Sequence, residues 1–214
     1  MTRSVALFAI VMLGVASASA QHTRLFPPTK LAELEGPDRE AWQRPDRIMD
    51  ELGIGERSVV ADLGAGGGWF TVHLAERVGP NGRVYAEDIQ PEMVQAITRR
   101  VQRLRLRNVE TTLGTAVDPR LPKRSLDAAL IVDTYNEIEQ PVMLLKNLAT
   151  SLKPNGRIGI VNFKKDGGGP GPPMEERIDP ERVISDAARA GLKLQSRGDF
   201  LRYQYLLIFV STPQ

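Results

Sequence analysis

Apolar residues follow two alternating spacings along most of the chain. Short runs rich in Val, Ile and Leu predict strands at residues 58–63, 83–88, 109–113, 127–133, 156–163, 193–197 and 204–210. Apolar residues three and four apart predict helices at residues 38–52, 69–78, 91–106, 141–152 and 180–190. Strands that alternate with helices form a mostly parallel sheet covered on both faces. The last two strands have no helix between them, so we expect an antiparallel hairpin there.

Length and composition indicate one folded domain. The chain has 214 residues, of which 42% are hydrophobic and 25% are charged. That is enough to bury one sizeable α/β core but not two independent ones. We expect a leader over residues 1–20, an irregular segment over residues 21–37 and a single domain over residues 38–214.

Residues 1–20 have the three-part pattern of a secretory signal peptide. Arg3 precedes an apolar run over residues 5–15, and the small residues Ala18-Ser19-Ala20 follow it. The run is shorter than the roughly 20 residues of a permanent membrane span. We therefore expect cleavage after Ala20 and an exported, periplasmic or secreted protein without a stable span. The protein would be cytoplasmic if the start codon is misassigned. The absence of cysteine excludes a lipid-modified cysteine, disulfides and thiolate metal sites.

Net charge gives no indication of a nucleic-acid partner. The formal charge is +2, and it falls to +1 when the leader with its one Arg is removed. Basic residues cluster locally at Arg99, Arg100, Arg103, Arg105, Arg107, Arg120, Lys123 and Arg124. The helix predicted over residues 91–106 places most of them on its outer face near its C-terminus, where they complement the helix dipole. We interpret them as a solvated face, with a patch for an anionic partner as the alternative.

The stretch VVADLGAGGGWF, residues 59–70, runs a strand into four glycines and then a helix. Such a turn places unhindered backbone N–H groups at a helix N-terminus, beside a ligand. The dinucleotide fingerprint G-x-G-x-x-G is absent, because Trp69 or Thr71 stands where its last glycine is needed. The loop has no Walker lysine either. What remains is an acid at the strand end, Asp62, followed by glycines at every second position.

This pattern resembles motif I of the class I S-adenosylmethionine-dependent methyltransferases. Asp88 lies 20 residues after Gly68 at the end of the second predicted strand, where this family keeps an acid for the cofactor ribose. Thr115 stands in the turn that contacts adenine in the family, although an acid is more usual there. Residues 152–157, LKPNGR, resemble the family's turn into strand five. The resemblance covers about residues 38–210 and implies a Rossmann-like three-layer α/β sandwich with a mostly parallel seven-stranded sheet and a C-terminal antiparallel hairpin.

The resemblance also implies S-adenosylmethionine as the cofactor and no metal. The implied cofactor-binding residues are Asp62, Leu63, Gly64, Ala65, Gly66, Gly68, Asp88, Ile89, Thr115, Ala116 and Asp133. We expect the N–H groups of residues 65–68 and the Asp62 carboxylate at the methionine portion of the cofactor. Asp133 is expected at its methionine and methyl end, and Ile89 against adenine.

Methyl transfer depends mainly on alignment of the reactants. Holding them at near-attack distance can supply roughly 7–11 kcal/mol, so a base is needed only when the acceptor must lose a proton. The candidate catalytic residues follow the fourth strand: Asp133, Tyr135 and Glu137. Asn136 stands where similar enzymes often have histidine, and asparagine cannot act as a base. Glu137 fits equally well as an acid that begins a helix.

Two further segments leave alternatives open. Residues 164–173, KKDGGGPGPP, are too rich in glycine and proline for regular structure. They follow the fifth parallel strand, so they form either a lid or substrate loop at the ligand edge of the sheet or a surface linker. For Trp42 we expect a contact that anchors its helix to the core, and the alternative is that Arg39 and Trp42 close over the cofactor.

The predicted function is therefore methyl transfer from S-adenosylmethionine to an unidentified small-molecule or lipid-like acceptor. Nucleic acid is not expected, since no basic and aromatic stacking platform is present. Two alternatives stay open: a non-catalytic cofactor-binding sensor or scaffold, and an aminopropyl-type transferase on the same fold. The pattern leaves the oligomeric state open.

Overall fold

A computed structural model describes residues 25–211. The predicted leader, residues 1–20, lies outside the described residues. The strands are β1 Val59–Leu63, β2 Arg83–Asp88, β3 Val109–Leu113, β4 Leu126–Val132, β5 Leu152–Phe163, β6 Leu192–Gly198 and β7 Gln204–Ser211. The helices are α1 Arg39–Gln43, α2 Pro45–Glu51, α3 Trp69–Val78, α4 Pro91–Leu104, α5 Pro141–Ala149 and α6 Pro180–Arg189. Short 3₁₀ helices form at Pro28–Leu34, Tyr135–Glu137 and Met174–Glu176.

The seven strands form one sheet in the order β3-β2-β1-β4-β5-β7-β6. Strands β1 to β5 pair in parallel, and β7 runs antiparallel to both β5 and β6. The predicted fold, including the closing hairpin, is confirmed. The strand order reverses at β1, which pairs with β2 on one side and β4 on the other. In open α/β sheets this reversal leaves a crevice at the carboxyl ends of the strands, where ligands bind.

Two apolar layers cover the sheet, one on each face. On one face, Leu145 of α5 and Val183 of α6 pack against strand residues such as Ile131. On the other face, α2 and α3 pack with Ile48 and Leu74 as fully buried side chains. The central strands are therefore almost entirely apolar, which makes the few buried acids at their carboxyl ends conspicuous.

Some predicted boundaries were wrong. The helix expected over residues 38–52 is two helices, because Arg44 adopts a left-handed conformation at φ 52° immediately before Pro45. Proline disfavours a helical conformation in the residue that precedes it. Residues 28–34, expected to be irregular, form a 3₁₀ helix that begins after Pro27. The helix predicted over residues 141–152 ends at Ala149, and β5 begins at Leu152, where a turn was expected.

Within residues 25–211, no helix is both long enough and apolar enough to cross a membrane.

Candidate functional site

A cavity of about 730 Å³ opens at the carboxyl ends of β1, β2 and β4. Its floor is the glycine loop after β1, and one wall is formed by residues 115–116 after β3. Phe163 at the end of β5 and residues 170–173 form the opposite wall. Residues 25–27 and 33–36 complete the enclosure from the N-terminal side. The volume lies within the range of about 300–1,000 Å³ that is typical of small-molecule sites.

The glycines of the loop are required by backbone conformation. Gly64, Gly66 and Gly68 adopt left-handed φ values of 64°, 55° and 76°. A Cβ on Gly64 would overlap the Cγ2 of Thr134 and lie 2.7 Å from its Oγ1. Only glycine therefore lets the loop pass this close to the end of β4.

The N–H groups of the loop are largely paired within the protein. Ala65 donates to the carbonyl of Glu87 at 2.9 Å, Gly66 to Asp88 Oδ2 at 3.0 Å and Gly68 to the carbonyl of Ala65 at 2.8 Å. The expectation that these three groups point at the ligand is wrong, because the turn uses them to close on itself and on β2. Gly68 begins α3 and does not line the cavity, whereas Gly64, Ala65, Gly66 and Gly67 do.

Asp88 is held by the loop that follows it as well as by the glycine loop. It is 5% exposed, lines the cavity, and accepts N–H groups from Gly66 at Oδ2 and from Gln90 at Oδ1, the latter at 2.9 Å. Burial raises its pKa. Each carboxylate oxygen keeps a lone pair beyond these bonds, so the side chain can still accept two hydroxyl groups. That capacity is what the predicted ribose contact requires.

Asp62, at the end of β1, is also buried in the cavity wall beside Leu63. The Thr71 hydroxyl donates to its Oδ2 at 2.6 Å. Burial raises the pKa of Asp62 to about 6, and the Thr71 hydrogen bond opposes this effect. A cationic group that enters the cavity would favour the charged form of this carboxyl.

Asp133 follows β4 in a left-handed conformation, φ 58°. Its two oxygens accept the side-chain amides of Gln43 at 3.0 Å and Gln204 at 2.5 Å, and Arg39 Nη2 lies 3.9 Å from Oδ2. Burial raises its pKa to about 6, and Arg39 opposes the shift. Asp133 lines the cavity as expected, but three partners from distant parts of the chain hold it in place.

Ile89, Thr115 and Ala116 line the cavity on the β2 and β3 side, where the family resemblance predicts the adenine. The Thr115 hydroxyl accepts the Asp118 N–H at 3.0 Å. It is therefore engaged in the local turn.

Tyr135 does not face the cavity. Its side chain is 1% exposed within the core, and its hydroxyl donates to Asp186 Oδ2 at 3.3 Å. Burial raises its pKa. The prediction that Tyr135 is a catalytic group is wrong, because the 3₁₀ turn after β4 directs this side chain inward and directs Asn136 and Glu137 to the cavity.

Glu137 lines the cavity and accepts the Phe26 N–H at 2.9 Å. Burial raises its pKa to about 7, reinforced by the nearby charges of Asp88 and Glu176, while the Phe26 hydrogen bond opposes the shift. A carboxyl that titrates near neutral pH can both accept and release a proton.

The segment that covers the cavity, residues 25–36, was not predicted as part of the site. Gln90 Nε2 donates to the Phe26 carbonyl at 3.1 Å, and Arg39 Nη1 donates to the Leu34 carbonyl at 2.5 Å. Glu35 forms an ion pair with Arg100, whereas the other clustered basic residues are exposed as expected. This segment has no periodic apolar pattern, so only the tertiary contacts reveal its position.

Arg39 and Trp42 both line the cavity. The Arg39 guanidinium lies over the Trp69 ring at 4.3 Å, and Trp42 packs against Phe163 at 5.8 Å and Tyr203 at 6.2 Å. Trp42 thus anchors its helix, as expected, and also forms part of the wall. His73 packs against Trp69 at 4.3 Å and does not line the cavity.

Comparisons with known proteins agree with this geometry. A protein-family model described as a methyltransferase domain matches residues 60–156 of the sequence. A solved structure of a SAM-dependent methyltransferase from Aquifex aeolicus is 30% identical, covers 86% of this chain and 98% of its own, and superposes with a TM-score of 0.82. The chain belongs to the class I S-adenosylmethionine-dependent methyltransferases. S-adenosylmethionine is its cofactor.

Curated relatives of this methyltransferase match over shorter regions. A protein-L-isoaspartate O-methyltransferase of Methanothrix thermoacetophila is 32% identical over 53% of this chain and 51% of its own. A nocamycin O-methyltransferase of Saccharothrix syringae is 33% identical over 64% of this chain and 48% of its own. The chain spans about half the length of the curated relatives it matches.

The residues of the cavity fit the cofactor. Asp88 offers acceptors for ribose hydroxyls, Asp62 and Asp133 offer carboxylates for cationic groups, and Ile89 offers an apolar surface for adenine. When bound, S-adenosylmethionine supplies a methyl group on a cationic sulfonium, which makes the methyl carbon electrophilic. The carboxylates of the methyltransferase would stabilise that positive charge, and the enclosing segment would exclude water. The comparisons do not favour the sensor or aminopropyl alternatives.

Glu87 is a buried acid that the sequence interpretation passed over. It is 3% exposed in β2, lines the cavity, and its Oε1 has no hydrogen-bond partner within the described residues. Burial raises its pKa to about 8, and the charge of Asp88 adds to the shift. Its position directly before Asp88, after the largely apolar residues 84–86, was the signal that could have identified it.

We expect the stability of the ligand-free methyltransferase to fall as pH rises from about 5 to 9, and Glu87→Gln to reduce that fall. Glu87 is protonated in both states below the unfolded pKa. At higher pH its carboxyl ionises in the unfolded state but stays protonated in the folded state, and this ionisation stabilises the unfolded state. The melting temperature of the parent should therefore drop by at least about 3 °C more than that of the variant over this range. Thermal melts of Glu92→Gln, which removes an exposed carboxyl on α4, provide the matched control. Equal pH dependence of parent and Glu87→Gln would contradict the assignment.

The glycine- and proline-rich loop, residues 164–173, is fixed by one arginine. Arg177 is 6% exposed and donates to the carbonyls of Pro172, Lys164, Gly168 and Pro170 at 2.9 to 3.0 Å. Its guanidinium also lies over the Phe163 ring at 5.2 Å. Because residues 170–173 line the cavity, the loop is a wall of the site and not a remote linker. Sequence alone gave no sign of this role for Arg177.

Replacing Arg177 with alanine should release this loop. We expect tryptic cleavage after Lys164 and Lys165 to accelerate at least about tenfold, because four charge-assisted hydrogen bonds of about 1.5–3 kcal/mol each are lost. Arg177→Lys should be cleaved faster than the parent and more slowly than Arg177→Ala, since a single ammonium cannot match the planar fork of donors. Arg182→Ala, which removes an exposed cation on α6, is the control for a general loss of stability. Unchanged cleavage in Arg177→Ala would show that the loop is held by other contacts.

Proposed function

We propose that this methyltransferase transfers the methyl group to a small, largely apolar acceptor molecule. The observation that supports this proposal is the apolar wall of the enclosed cavity beyond the cofactor residues, formed by Trp42, Ile138, Leu144, Phe163 and the prolines of residues 170–173. A site of this size and enclosure suits small molecules, or the end of a lipid-like molecule, better than a macromolecular surface. One curated relative is named a nocamycin O-methyltransferase, which is consistent with this class.

We assign proton acceptance to Glu137. Its carboxyl lies in the cavity wall, and its pKa of about 7 matches the operating range of a general base. Asp133 serves instead as a fixed charge, because Gln43, Gln204 and Arg39 occupy its oxygens. Asn136 lines the cavity beside Glu137 and can orient the acceptor through hydrogen bonds.

Calorimetric titration with S-adenosylmethionine and S-adenosylhomocysteine, followed by transfer of labelled methyl groups to a panel of small molecules, tests the proposed function. Saturable binding of both compounds with turnover of at least one small acceptor would support it. Binding of the cofactor by a folded sample with turnover only on protein or nucleic acid would overturn the acceptor class. No binding of either compound would overturn the proposal as a whole.

Glu137→Gln should lower kcat at pH 7 by about 10²–10⁴, the usual contribution of a general base. The amide oxygen of glutamine can still accept the Phe26 N–H, so S-adenosylhomocysteine should bind as tightly as to the parent. Glu139→Gln, an exposed neighbour in the same wall, is the matched control. If Glu137→Gln keeps the parent rate and pH profile with an identified acceptor, Glu137 is not the base.

We further propose that residues 1–20 direct export and are cleaved after Ala20, on the strength of their three-part pattern alone. N-terminal sequencing of the protein from fractionated cells tests this. A first residue of Gln21 in the exported fraction would support the proposal, and an intact N-terminus in the cytoplasm would overturn it.

A further inference from the structure

The cavity is strongly acidic in a chain that is slightly basic. Ten of its lining residues are Asp or Glu and two are Lys or Arg, although the chain as a whole has 28 basic and 26 acidic residues. The acids are therefore concentrated at this site. Clefts lined by one sign of charge focus the field and attract ligands of the opposite sign.

Hydrogen bonds and ion pairs account for only part of this charge. Glu33 pairs with Lys30, and Glu35 pairs with Arg100, both at the enclosing segment. Asp133 is held by Arg39 and two amides, while Asp62 and Asp88 are the carboxylates assigned to the cofactor. These groups need no charge from the acceptor.

Five of the ten carboxyl groups remain: Asp38, Glu87, Glu137, Glu139 and Glu176. The charges of Asp88 and Glu176 raise the pKa of Glu137, and none of the ion pairs in the described part of the chain includes Glu137. Glu176 lines the cavity from the 3₁₀ helix next to the loop wall, and none of the ion pairs within residues 25–211 includes it. Glu87 lines the same cavity, but its pKa of about 8 keeps it mostly protonated at pH 7, so it adds little negative charge. The cofactor has a net charge of +1, which Asp62 and Asp133 would accommodate, so Glu137 and Glu176 are left to be neutralised by another cation.

We infer that the acceptor is a small amine that enters as a cation, with its ammonium group between Glu137 and Glu176 and its apolar body against Trp42. This inference rests on the proposed function and adds the chemical class of the acceptor. A cavity lined by an aromatic ring and by carboxylates is a suitable environment for an alkylammonium group. A carboxylate or phosphate at the same place would meet like charges.

The proposed reaction is balanced without another reactant. The ammonium nitrogen gives one proton to the Glu137 carboxylate and becomes a neutral amine with a lone pair. That lone pair forms the new N–C bond to the methyl carbon while the C–S bond breaks and its electron pair stays on sulfur. The product is a methylated ammonium ion together with the neutral thioether, and Glu137 returns its proton to solvent.

Three acceptor trios of equal shape and different charge test the inference. They are benzylamine, phenethylamine and 3-phenylpropylamine, each with the alcohol and the carboxylate of matching length. Methyl transfer to each compound is measured by kcat/KM with the full chain, and binding to the full chain saturated with S-adenosylhomocysteine is measured by calorimetry. We expect at least one amine to exceed its alcohol about tenfold in kcat/KM and the carboxylates not to react. The preference should shrink as salt rises from 50 to 500 mM, since screening weakens the attraction (Debye length about 10 Å at 0.1 M).

Glu176→Gln distinguishes a loss of charge recognition from a general loss of acceptor binding. Because the Glu176 side chain is exposed, its loss should weaken amine binding about threefold and should weaken alcohol binding less. Equal loss for amine and alcohol, or an alcohol that matches or exceeds its amine, would overturn the amine inference while leaving the proposed function intact. Failure of the S-adenosylhomocysteine complex to bind any amine would overturn it too. Failure to bind the cofactor at all would instead refute the proposed function.

Discussion

Replacing Asp88 with alanine should lower the affinity for both S-adenosylmethionine and S-adenosylhomocysteine by about 100-fold. A carboxylate that accepts two ribose hydroxyls forms two charge-assisted hydrogen bonds of about 1.5–3 kcal/mol each. Their combined loss corresponds to at least two factors of ten, since about 1.4 kcal/mol equals one factor of ten in Kd. The loss should be the same for both compounds, because they share the ribose and differ at the sulfur.

The same substitution should also lower the stability of the protein. Asp88 also accepts the N–H groups of Gly66 and Gln90, so alanine leaves both without their partner and loosens the glycine loop. We expect a loss of about 1–3 kcal/mol in the free energy of unfolding, with the domain still folded. Calorimetry and urea melts measure the two effects, and Glu92→Gln controls for loss of a nearby charge. Binding within threefold of the parent would exclude Asp88 from the ribose site.

Gly64→Ala should destabilise the protein by about 2–5 kcal/mol. The left-handed conformation costs an alanine about 1–2 kcal/mol, and overpacking against Thr134 adds about 1–3 kcal/mol. The added methyl group would lie 2.9 Å from Thr134 Cβ, which forces apart the loop after β1 and the end of β4. Because Asp133 directly precedes Thr134, cofactor binding should be lost as well.

Two further variants distinguish the cost of the left-handed backbone conformation from the cost of overlap with Thr134. Gly168 has a similar φ of 56°, and no atom lies within 4 Å of an added Cβ. Gly168→Ala should therefore lower the free energy of unfolding only by the cost of the left-handed conformation, about 1–2 kcal/mol. Thr134→Ala removes two of the three atoms that the new methyl group meets, so the double variant should recover part of the stability of Gly64→Ala. Chemical denaturation gives all three values. Equal losses for Gly64→Ala and Gly168→Ala would show that overlap with Thr134 does not matter.

The cofactor side of the site was more predictable than the acceptor side. Asp62 and Asp88 end consecutive parallel strands, so a local pattern was sufficient to place them at one edge of the sheet. The acceptor side depends on residues 25–36, Trp42 and residues 170–173, which meet only in the folded chain. Tyr135 was assigned wrongly for a related reason: a short 3₁₀ turn decides which of three consecutive side chains faces the cavity, and sequence spacing does not reveal that choice.

The sequence by itself determined the layered fold, the strand pairing at the C-terminal hairpin and the glycine loop with its two acids, because each of these follows from patterns within a few neighbouring residues. Tertiary structure alone decided three things: that Arg177 fixes the flexible-looking loop as a wall, that Gln43 and Gln204 hold Asp133, and that Glu87 is buried with no partner for Oε1 among the described residues. Gln43 and Gln204 are separated by 161 positions along the chain, yet both contact Asp133. Hydrogen bonds and burial depend on distances in space, and a linear pattern does not specify those distances for residues so far apart.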